Sequence, residues 1–187
     1  MTKNYRNEGT LLIRNSDIKD NYFEFDDNPI FLDEVFANTN KSRKLKSDDV
    51  VTIHTGDVGT SAVIGEDEEG AIGFATINTR PDTKILKSEF LATFLNSPQH
   101  KKYAIDNSTG DGRSNYNLRD YNELLIPLTT SAEQEKIGIF FKYLKSLISH
   151  HQNKINKFKI MKKSILEKMF PKEGSVVPEI RFEDFTD

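Results

Sequence analysis

A heptad pattern of apolar residues between Ser131 and Pro171 constrains the fold of this chain more than any other feature. The pattern alternates intervals of four and three residues, which is typical of helices that form coiled coils. Its positions are Ile137, Phe141, Leu144, Ile148, His151, Ile155, Phe158, Lys162, Ile165 and Met169. Ser131 and Gln134 have capping-box spacing and predict the start of the helix, and Pro171 predicts its end. At ~1.5 Å per residue this helix is about 60 Å long, so we expect part of its apolar seam to pack against another helix.

The first 130 residues contain short β-branched and apolar runs separated by glycine-bearing and polar turns, which predicts a small strand-rich domain. We expect 61–65 and 71–78 to pair as a hairpin across the acidic loop 66–69. The predicted strands are residues 9–13, 50–53, 61–65, 71–78 and 124–126, and short helices begin near Ser88 and at Pro98. The predicted fold class is therefore α+β: a strand-rich domain with short helices, followed by a long coiled-coil-type helix.

The net charge of −3 conceals an uneven distribution along the chain. Residues 1–130 have 15 Lys and Arg against 21 Asp and Glu, whereas residues 131–170 have nine Lys against three Glu. The basic segment is the predicted long helix, and the tail 171–187 reads as an acidic linker. An acidic first domain argues against simple nonspecific DNA binding, but it leaves room for a local basic patch that reads sequence.

The composition also bears on where in the cell the protein is located. The chain has no Cys, which excludes disulfides and cysteine-based zinc sites. No segment resembles a signal peptide or approaches the roughly 18 apolar residues of a membrane span, so we expect a soluble, cytoplasmic protein without a membrane partner.

No group of residues predicts an active site or a metal site. The chain has neither a Walker phosphate loop nor a dinucleotide-binding fingerprint. The four His residues form no metal-binding pair of the HExxH kind, and the acidic loop 66–69 reads as a solvated hairpin tip. Residues 27–30, Asp-Asn-Pro-Ile, lack the aromatic residue that an amino-methyltransferase motif places against a flipped base. We expect a chain that is not an enzyme and binds no metal.

The second half of the chain resembles the specificity subunits of type I restriction-modification enzymes. The resemblance rests on the run from Asn115 to Leu128, with its "IP" ending, and on Glu133-Gln134-Glu135-Lys136-Ile137 at the start of the long helix. The end of that helix, 162–171, and the segment 178–182, which opens the next repeat in that family, are similar as well. The resemblance covers roughly residues 9–185.

The resemblance implies a protein that recognises double-stranded DNA and directs adenine methylation and restriction by partner subunits. It implies that a modification subunit and a restriction subunit bind this chain, and that S-adenosylmethionine, ATP and Mg belong to those partners. Members of the family typically have two target recognition domains and two long helices that pair antiparallel. We therefore interpret 1–130 as one N-terminally truncated target recognition domain, 131–170 as the spacer and dimerisation helix, and 171–187 as a linker and the start of a repeat.

Candidate DNA-binding residues follow from side-chain chemistry. Basic residues contact phosphates, glycine permits close approach of the backbone, and Arg and Asn read guanine and adenine edges. Each group has a structural alternative, a solvated loop or an ordinary turn. The candidates are Lys41, Arg43, Lys44, Lys46, Thr55, Gly56, Arg80, Arg113, Ser114, Asn115 and Asn117.

The partner of the long helix is a separate question. Its seam residues are packing residues in any interpretation, and we expect them to meet a second copy in a homodimer. The predicted partner-facing residues are Ile137, Phe141, Leu144, Ile148, His151, Ile155, Phe158 and Ile165. The alternative function is a coiled-coil assembly or inhibitory fragment of such a complex that does not read DNA, which the acidic first domain favours. An enzyme in its own right is the other class, and no cofactor motif supports it.

Overall fold

The computed structural model describes residues 2–110 and 114–183. The elements, in chain order, are β1 (Tyr5–Arg6), β2 (Thr10–Arg14), β3 (Ile18–Lys19), β4 (Tyr22–Phe23), β5 (Phe31–Leu32), α1 (Glu34–Thr39), β6 (Val50–Ile53), β7 (Ser61–Val63), β8 (Ile72–Phe74), β9 (Thr76–Thr79), α2 (Ser88–Leu95), α3 (Pro98–Asp106), β10 (Ser108–Thr109), β11 (Asn115–Tyr116), α4 (Leu118–Asn122) and α5 (Ser131–Lys168). Short strands and helices followed by one helix of 38 residues confirm the predicted α+β class.

The chain divides into two compact units, Met1–Lys142 and Tyr143–Asp187. The first three turns of α5 therefore belong to the first unit. The rest of α5 and the tail form the second unit. In the tail, the Ile180 N–H donates to the Lys168 carbonyl at 3.1 Å, and Lys172 pairs with Glu179.

Strand β6 is the centre of the first unit. It pairs antiparallel with β7 on one edge and with β9 on the other. All four of its residues are buried, which explains why the sequence there is β-branched rather than alternating. Helix α2 covers this sheet, because Leu91, Ala92 and Leu95 pack against Val50.

The expected hairpin between 61–65 and 71–78 is wrong. Strand β7 pairs with β6, whereas β8 pairs in parallel with β2 in a second sheet of order β1-β5-β2-β8. Ala75 separates β8 from β9 with a left-handed φ of 58°, so the two halves of the run join different sheets. An alternating pattern identifies strands but does not determine which strand lies beside which.

The expected strand at 124–126 is also wrong. Helix α4 precedes it, and residues 124–126 have no strand assignment in the structure. Leu124 and Ile126 pack against the α2 cluster while Leu125 is 89% exposed. The in-and-out alternation that predicted a strand is present, but among the described residues no neighbouring strand pairs with it.

The two predicted short helices are confirmed. Helix α2 spans Ser88–Leu95, and the Ser88 hydroxyl donates to the Asp48 carbonyl at 2.7 Å. Helix α3 begins at Pro98, and the Ser97 side chain accepts from the His100 N–H. Proline at the first helical position needs no hydrogen bond from its nitrogen, so it favours the start of a helix.

The start of α5 differs in detail from the expected capping box. Thr130, rather than Ser131, accepts from the Glu133 N–H at 3.3 Å through its hydroxyl. Gln134 is 1% exposed, and its amide bonds three backbone groups. It donates to the carbonyls of Ile85 and Thr129 at 3.1 and 2.9 Å, and it accepts from the Lys87 N–H at 3.0 Å. Gln134 therefore connects α5 to the segment that precedes α2.

Gly138 permits the close approach of α5 to α2. A Cβ atom at this position would lie 2.7 Å from the Glu89 Cβ and 3.0 Å from the Phe90 nitrogen. One turn further along, Lys142 forms an ion pair with Glu89 at 2.6 Å. The absence of a side chain at Gly138 is thus a packing requirement rather than a need for backbone freedom.

Replacement of Gly138 by alanine should lower the free energy of unfolding of the first unit by about 1–3 kcal/mol, because the added methyl group meets backbone and Cβ atoms of α2. Helix propensity alone predicts the opposite sign, a gain of about 1 kcal/mol. The matched control is Ser146→Ala at an exposed position of the same helix. Urea unfolding monitored by circular dichroism measures both, and an unchanged or raised stability for Gly138→Ala would contradict the packing described.

Candidate nucleic-acid interface

The segment His54–Gly56 leaves the buried strand β6 and meets the segment around Asn115. The Gly56 N–H donates to the Ser114 carbonyl at 3.0 Å, and the Tyr116 N–H donates to the His54 carbonyl at 2.8 Å. Thr55 and Asn115 form a β-bridge. Two candidate groups that are about 60 positions apart in the sequence therefore lie side by side. We call His54, Thr55, Gly56, Ser114 and Asn115 the recognition cluster.

A chain of side-chain hydrogen bonds orders the recognition cluster. The Thr55 hydroxyl donates to the Asn115 Oδ1 at 2.8 Å, so it accepts from the His54 Nδ1 at 2.7 Å. This assignment places a proton on the His54 Nδ1. The three side chains are half-buried, whereas Gly56 is exposed. The cluster thus presents polar groups in defined orientations before any ligand binds.

Asn15 also belongs to this region, and no sequence argument identified it. Its Nδ2 donates to the Thr55 carbonyl at 2.7 Å. A Cβ atom at Gly56 would lie 3.7 Å from that nitrogen, an ordinary contact, so the φ of 104° rather than crowding favours glycine here. Asn15 follows β2 directly, and only the tertiary structure places it beside a residue 40 positions away.

A buried aromatic group supports the recognition cluster from behind. His100 and Tyr116 are fully buried, with ring centroids 5.7 Å apart. The His100 Nδ1 donates to the Leu95 carbonyl at 2.5 Å, and its Nε2 accepts from the Tyr116 hydroxyl at 3.3 Å. Burial lowers the pKa of His100 and raises the pKa of Tyr116, so both rings are neutral at neutral pH. Because Tyr116 follows Asn115, this packing fixes the backbone of the cluster.

Two further candidates in the same segment are placed differently. Asn117 is half-buried at the start of α4, and its side chain makes no capping hydrogen bond there. Arg113 lies outside the described residues, so its predicted guanine contact stays a prediction.

Arg80 contacts a buried carboxylate. Its guanidinium donates two hydrogen bonds to Asp49, at 2.7 and 2.6 Å. The Asp49 side chain is 4% exposed and the Arg80 side chain 56%. The hydrogen bonds that Arg80 donates to the Asp49 carboxylate raise the pKa of Arg80, which stays a cation. This pairing gives Arg80 a structural role next to β6, and its predicted contact with DNA stays a prediction.

The basic run does not lie beside the recognition cluster. Lys44 forms a bridge with Ile72, the first residue of β8, whereas the His54 N–H donates to the carbonyl of Ala75, just past the end of β8. The two groups are therefore at opposite ends of a short strand, which spans about 10 Å at ~3.3 Å per residue.

The four basic residues also differ in their surroundings. Lys41, Arg43 and Lys46 are exposed, and the first two lie on a 3-10 turn. Lys44 is half-buried, with its Nζ 3.4 Å from the Asn38 Oδ1, and it lines a cavity together with Asp67, Glu68 and Glu69. Three of the four candidates are thus accessible to phosphates, and Lys44 faces carboxylates.

The seam of α5 is largely uncovered. Ile137 and Leu144 are half-buried, and the other predicted seam residues are exposed. The exposed fractions are Phe141 45%, Ile148 62%, Ile155 47%, Phe158 55% and Ile165 40%. Further apolar side chains, including Phe140, Leu147 and Met161, are exposed on the same helix. An apolar face of this length in water marks a surface for association.

Within residues 2–110 and 114–183, no three His, Asp or Glu side chains lie close enough together for a metal ion. No helix among these residues has the length and apolar character that crossing a membrane requires.

Comparison with known proteins identifies a family. The sequence model described as "Type I restriction modification DNA specificity domain" matches residues 2–185. The protein described as "Type I restriction enzyme EcoBI specificity subunit" from Escherichia coli is 28% identical over 181 residues. That match covers 95% of this chain and 38% of the E. coli protein.

Solved structures support the fold. The HsdS subunit from Thermoanaerobacter tengcongensis superposes with a TM-score of 0.57 at 17% identity, covering 94% of this chain and 48% of that one. A chain from a structure of the type I R-M system gives a TM-score of 0.56 at 17% identity, covering 93% of this chain and 45% of that one. The chain spans less than half the length of these relatives.

Replacement of Arg80 by glutamine should lower the free energy of unfolding by about 1–2 kcal/mol, because the buried Asp49 carboxylate loses its charged partner. Arg119→Gln is the matched control, since Arg119 pairs with Glu123 on an exposed helix face and should change stability by less than about 0.5 kcal/mol. Chemical unfolding of both variants is the measurement. Equal effects would show that the Arg80 pair is no more than a surface ion pair.

Burial of His100 should make the free energy of unfolding decrease at acidic pH. The pKa of His100 is lower in the folded chain than in the unfolded chain, where it has the ordinary value of about 6.5. As the pH falls below that value the unfolded state binds a proton that the folded state does not, so the free energy of unfolding decreases. His100→Asn should make this decrease shallower, whereas His150→Gln, on the exposed face of α5, should leave it unchanged. Unfolding titrations at a series of pH values test the difference between the two slopes.

Proposed function

Because this chain belongs to the type I restriction modification DNA specificity domain family, we propose that it reads a DNA sequence on behalf of partner subunits that methylate adenine and cleave. The observation that supports this most directly is the recognition cluster. Its Asn, Thr and His side chains hydrogen-bond to one another at a surface turn, and these are side-chain types that contact base edges and phosphates.

Preorganisation is the physical basis of the proposal. Side chains that are already oriented lose little conformational entropy when they contact DNA, so each contact contributes more to discrimination. Asn15 and the buried His100–Tyr116 pair hold the two segments of the cluster in place. The exposed Gly56 allows the backbone to approach a phosphate closely.

The proposed roles divide between two kinds of contact. Asn115, Asn117 and His54 read base edges, with Arg113 as a further predicted reader of guanine. Lys41, Arg43 and Lys46 contact phosphates and position the domain, because they are exposed. The chain binds no cofactor itself in this proposal, and S-adenosylmethionine, ATP and Mg belong to the modification and restriction subunits.

The exposed seam of α5 supports the second part of the proposal, a homodimer. A second copy supplies a second recognition domain and a second long helix, and its two-fold symmetry implies a symmetric DNA site with two half-sites. The modification and restriction subunits are further partners in this proposal, and they bind outside the paired seam.

One alternative has an observation of its own in its favour. Residues 1–130 carry more acidic than basic residues, which weakens attraction to the phosphate backbone. An assembly or inhibitory protein that associates through α5 and does not read DNA would have this charge. The two functions differ in whether binding depends on DNA sequence.

Selection of bound duplexes from a random pool, by the chain alone and with a modification subunit, should enrich a defined sequence. On that sequence Asn115→Ala should weaken binding about tenfold or more, since a good base contact provides about 1–3 kcal/mol of discrimination. Binding to unrelated duplexes should not change. Fluorescence anisotropy measures both affinities.

The controls separate reading from positioning. Asn122→Ala, an exposed asparagine at the end of α4, should leave both affinities unchanged. Lys41→Ala should weaken binding to every duplex alike and reduce the salt dependence. No enriched sequence with either preparation would favour the assembly function instead.

A further inference from the structure

The two polar residues of the α5 seam occupy related positions. His151 and Lys162 interrupt an otherwise apolar series between Leu144 and Met169. The antiparallel register that places these two residues opposite each other has its axis between Asn156 and Lys157. In this register each apolar seam residue from Leu144 to Met169 faces an apolar residue, and the two polar residues face each other.

We propose that α5 encodes its own antiparallel register: two copies pair about an axis between Asn156 and Lys157, with His151 of one copy against Lys162 of the other. This inference rests on the dimer proposed above and specifies its geometry. In a two-fold contact, if residue i meets residue j, then j also meets i. The apolar layers are then Leu144 with Met169, Ile148 with Ile165, and Ile155 with Phe158 of the second copy.

The residues that flank the seam fit this register. In an antiparallel pair, each flanking position faces the same kind of position on the other helix. The resulting flanking pairs are Leu147 with Lys168, Lys154 with Met161, Lys145 with Leu166, and Gln152 with Lys159 of the second copy. Each lysine therefore faces an uncharged side chain, over which its methylene groups can lie while its ammonium group stays in water.

Neighbouring registers lack this fit. A shift of one heptad towards the N-terminus moves the axis to Asn153 and brings Lys154 against Lys154, and Lys145 against Lys159. A shift the other way moves the axis to Ile160 and brings Lys159 against Lys159, and Lys154 against Lys168. In both cases Lys162 faces an apolar residue, Leu144 or Phe158, and loses a polar partner in the seam.

A parallel pair is also disfavoured. Equivalent positions then meet, which places Lys162 against Lys162 and His151 against His151 in the seam. Like charges at core positions repel, whereas one polar layer with matched partners is a known device for fixing the register of a coiled coil at some loss of stability. The His151–Lys162 layer has that role here.

Engineered disulfides test the register, and the chain has no native Cys to interfere. We expect a chain with Ile148→Cys to cross-link efficiently to a differently tagged chain with Ile165→Cys under mild oxidation, because those positions face each other. Ile148→Cys mixed with Phe158→Cys is the matched control and should cross-link poorly. Ile148 is 62% exposed, so its replacement should leave each chain folded. Preferential cross-linking of Ile148→Cys to Phe158→Cys would overturn the register. A chain that stays monomeric at all concentrations in light scattering would overturn it as well.

A charge at His151 tests the polar layer independently. His151→Glu should tighten dimerisation on the order of tenfold, since the carboxylate meets Lys162 of the second copy. Addition of Lys162→Glu should remove that gain. Weaker dimerisation of His151→Glu would refute the layer, because in the register centred on Asn153 the new carboxylate faces Ile155. Neither experiment contains DNA, so failure of the register is distinguishable from failure of the proposed DNA reading.

Discussion

The pairing of β6 on both of its edges is the interaction on which the first unit depends. Its backbone hydrogen bonds are shared between β7 and β9, and its side chains pack under α2. A strand in this position has no freedom to shift, because a slip of one residue would move each side chain to the other face. His54, Thr55 and Gly56 follow this strand directly. The position of the recognition cluster is therefore set by a strand that is paired on both of its edges.

The same strand shows what the sequence could predict. Val50–Ile53 was predictable because four β-branched residues in succession favour a buried strand. The strands that pair with β6 could not be predicted, since neither β7 nor β9 carries a signal for the strand it joins. The division between β8 and β9 could not be predicted either, because Ala75 has a left-handed conformation that alanine rarely adopts. The long helix was predictable for a different reason: a helix is stabilised by local hydrogen bonds, and its period is visible over many turns.

The candidate site divides in the same way. Thr55, Gly56, Ser114 and Asn115 were identified by their residue types, and the structure places them together. Asn15 was not identified, because an isolated asparagine after a strand has many ordinary roles and its contact is 40 residues away. Arg80 was identified as a cation, but its partner Asp49 is buried by tertiary contacts that no local pattern indicates. Local chemistry thus finds the members of a site, and long-range packing decides which of them are already engaged.

The acidic excess of residues 1–130 affects how strongly a single recognition domain can bind DNA. A domain with an excess of acidic residues gains little affinity from phosphates. One such domain would therefore bind even its target sequence weakly, although each base contact discriminated well. If two copies pair through α5, as proposed, the second domain binds as part of the same molecule at a high effective concentration. In that arrangement a low phosphate affinity is an advantage, since it limits binding to DNA that carries only one half-site. The register of α5 would then contribute to specificity as directly as the side chains that contact bases.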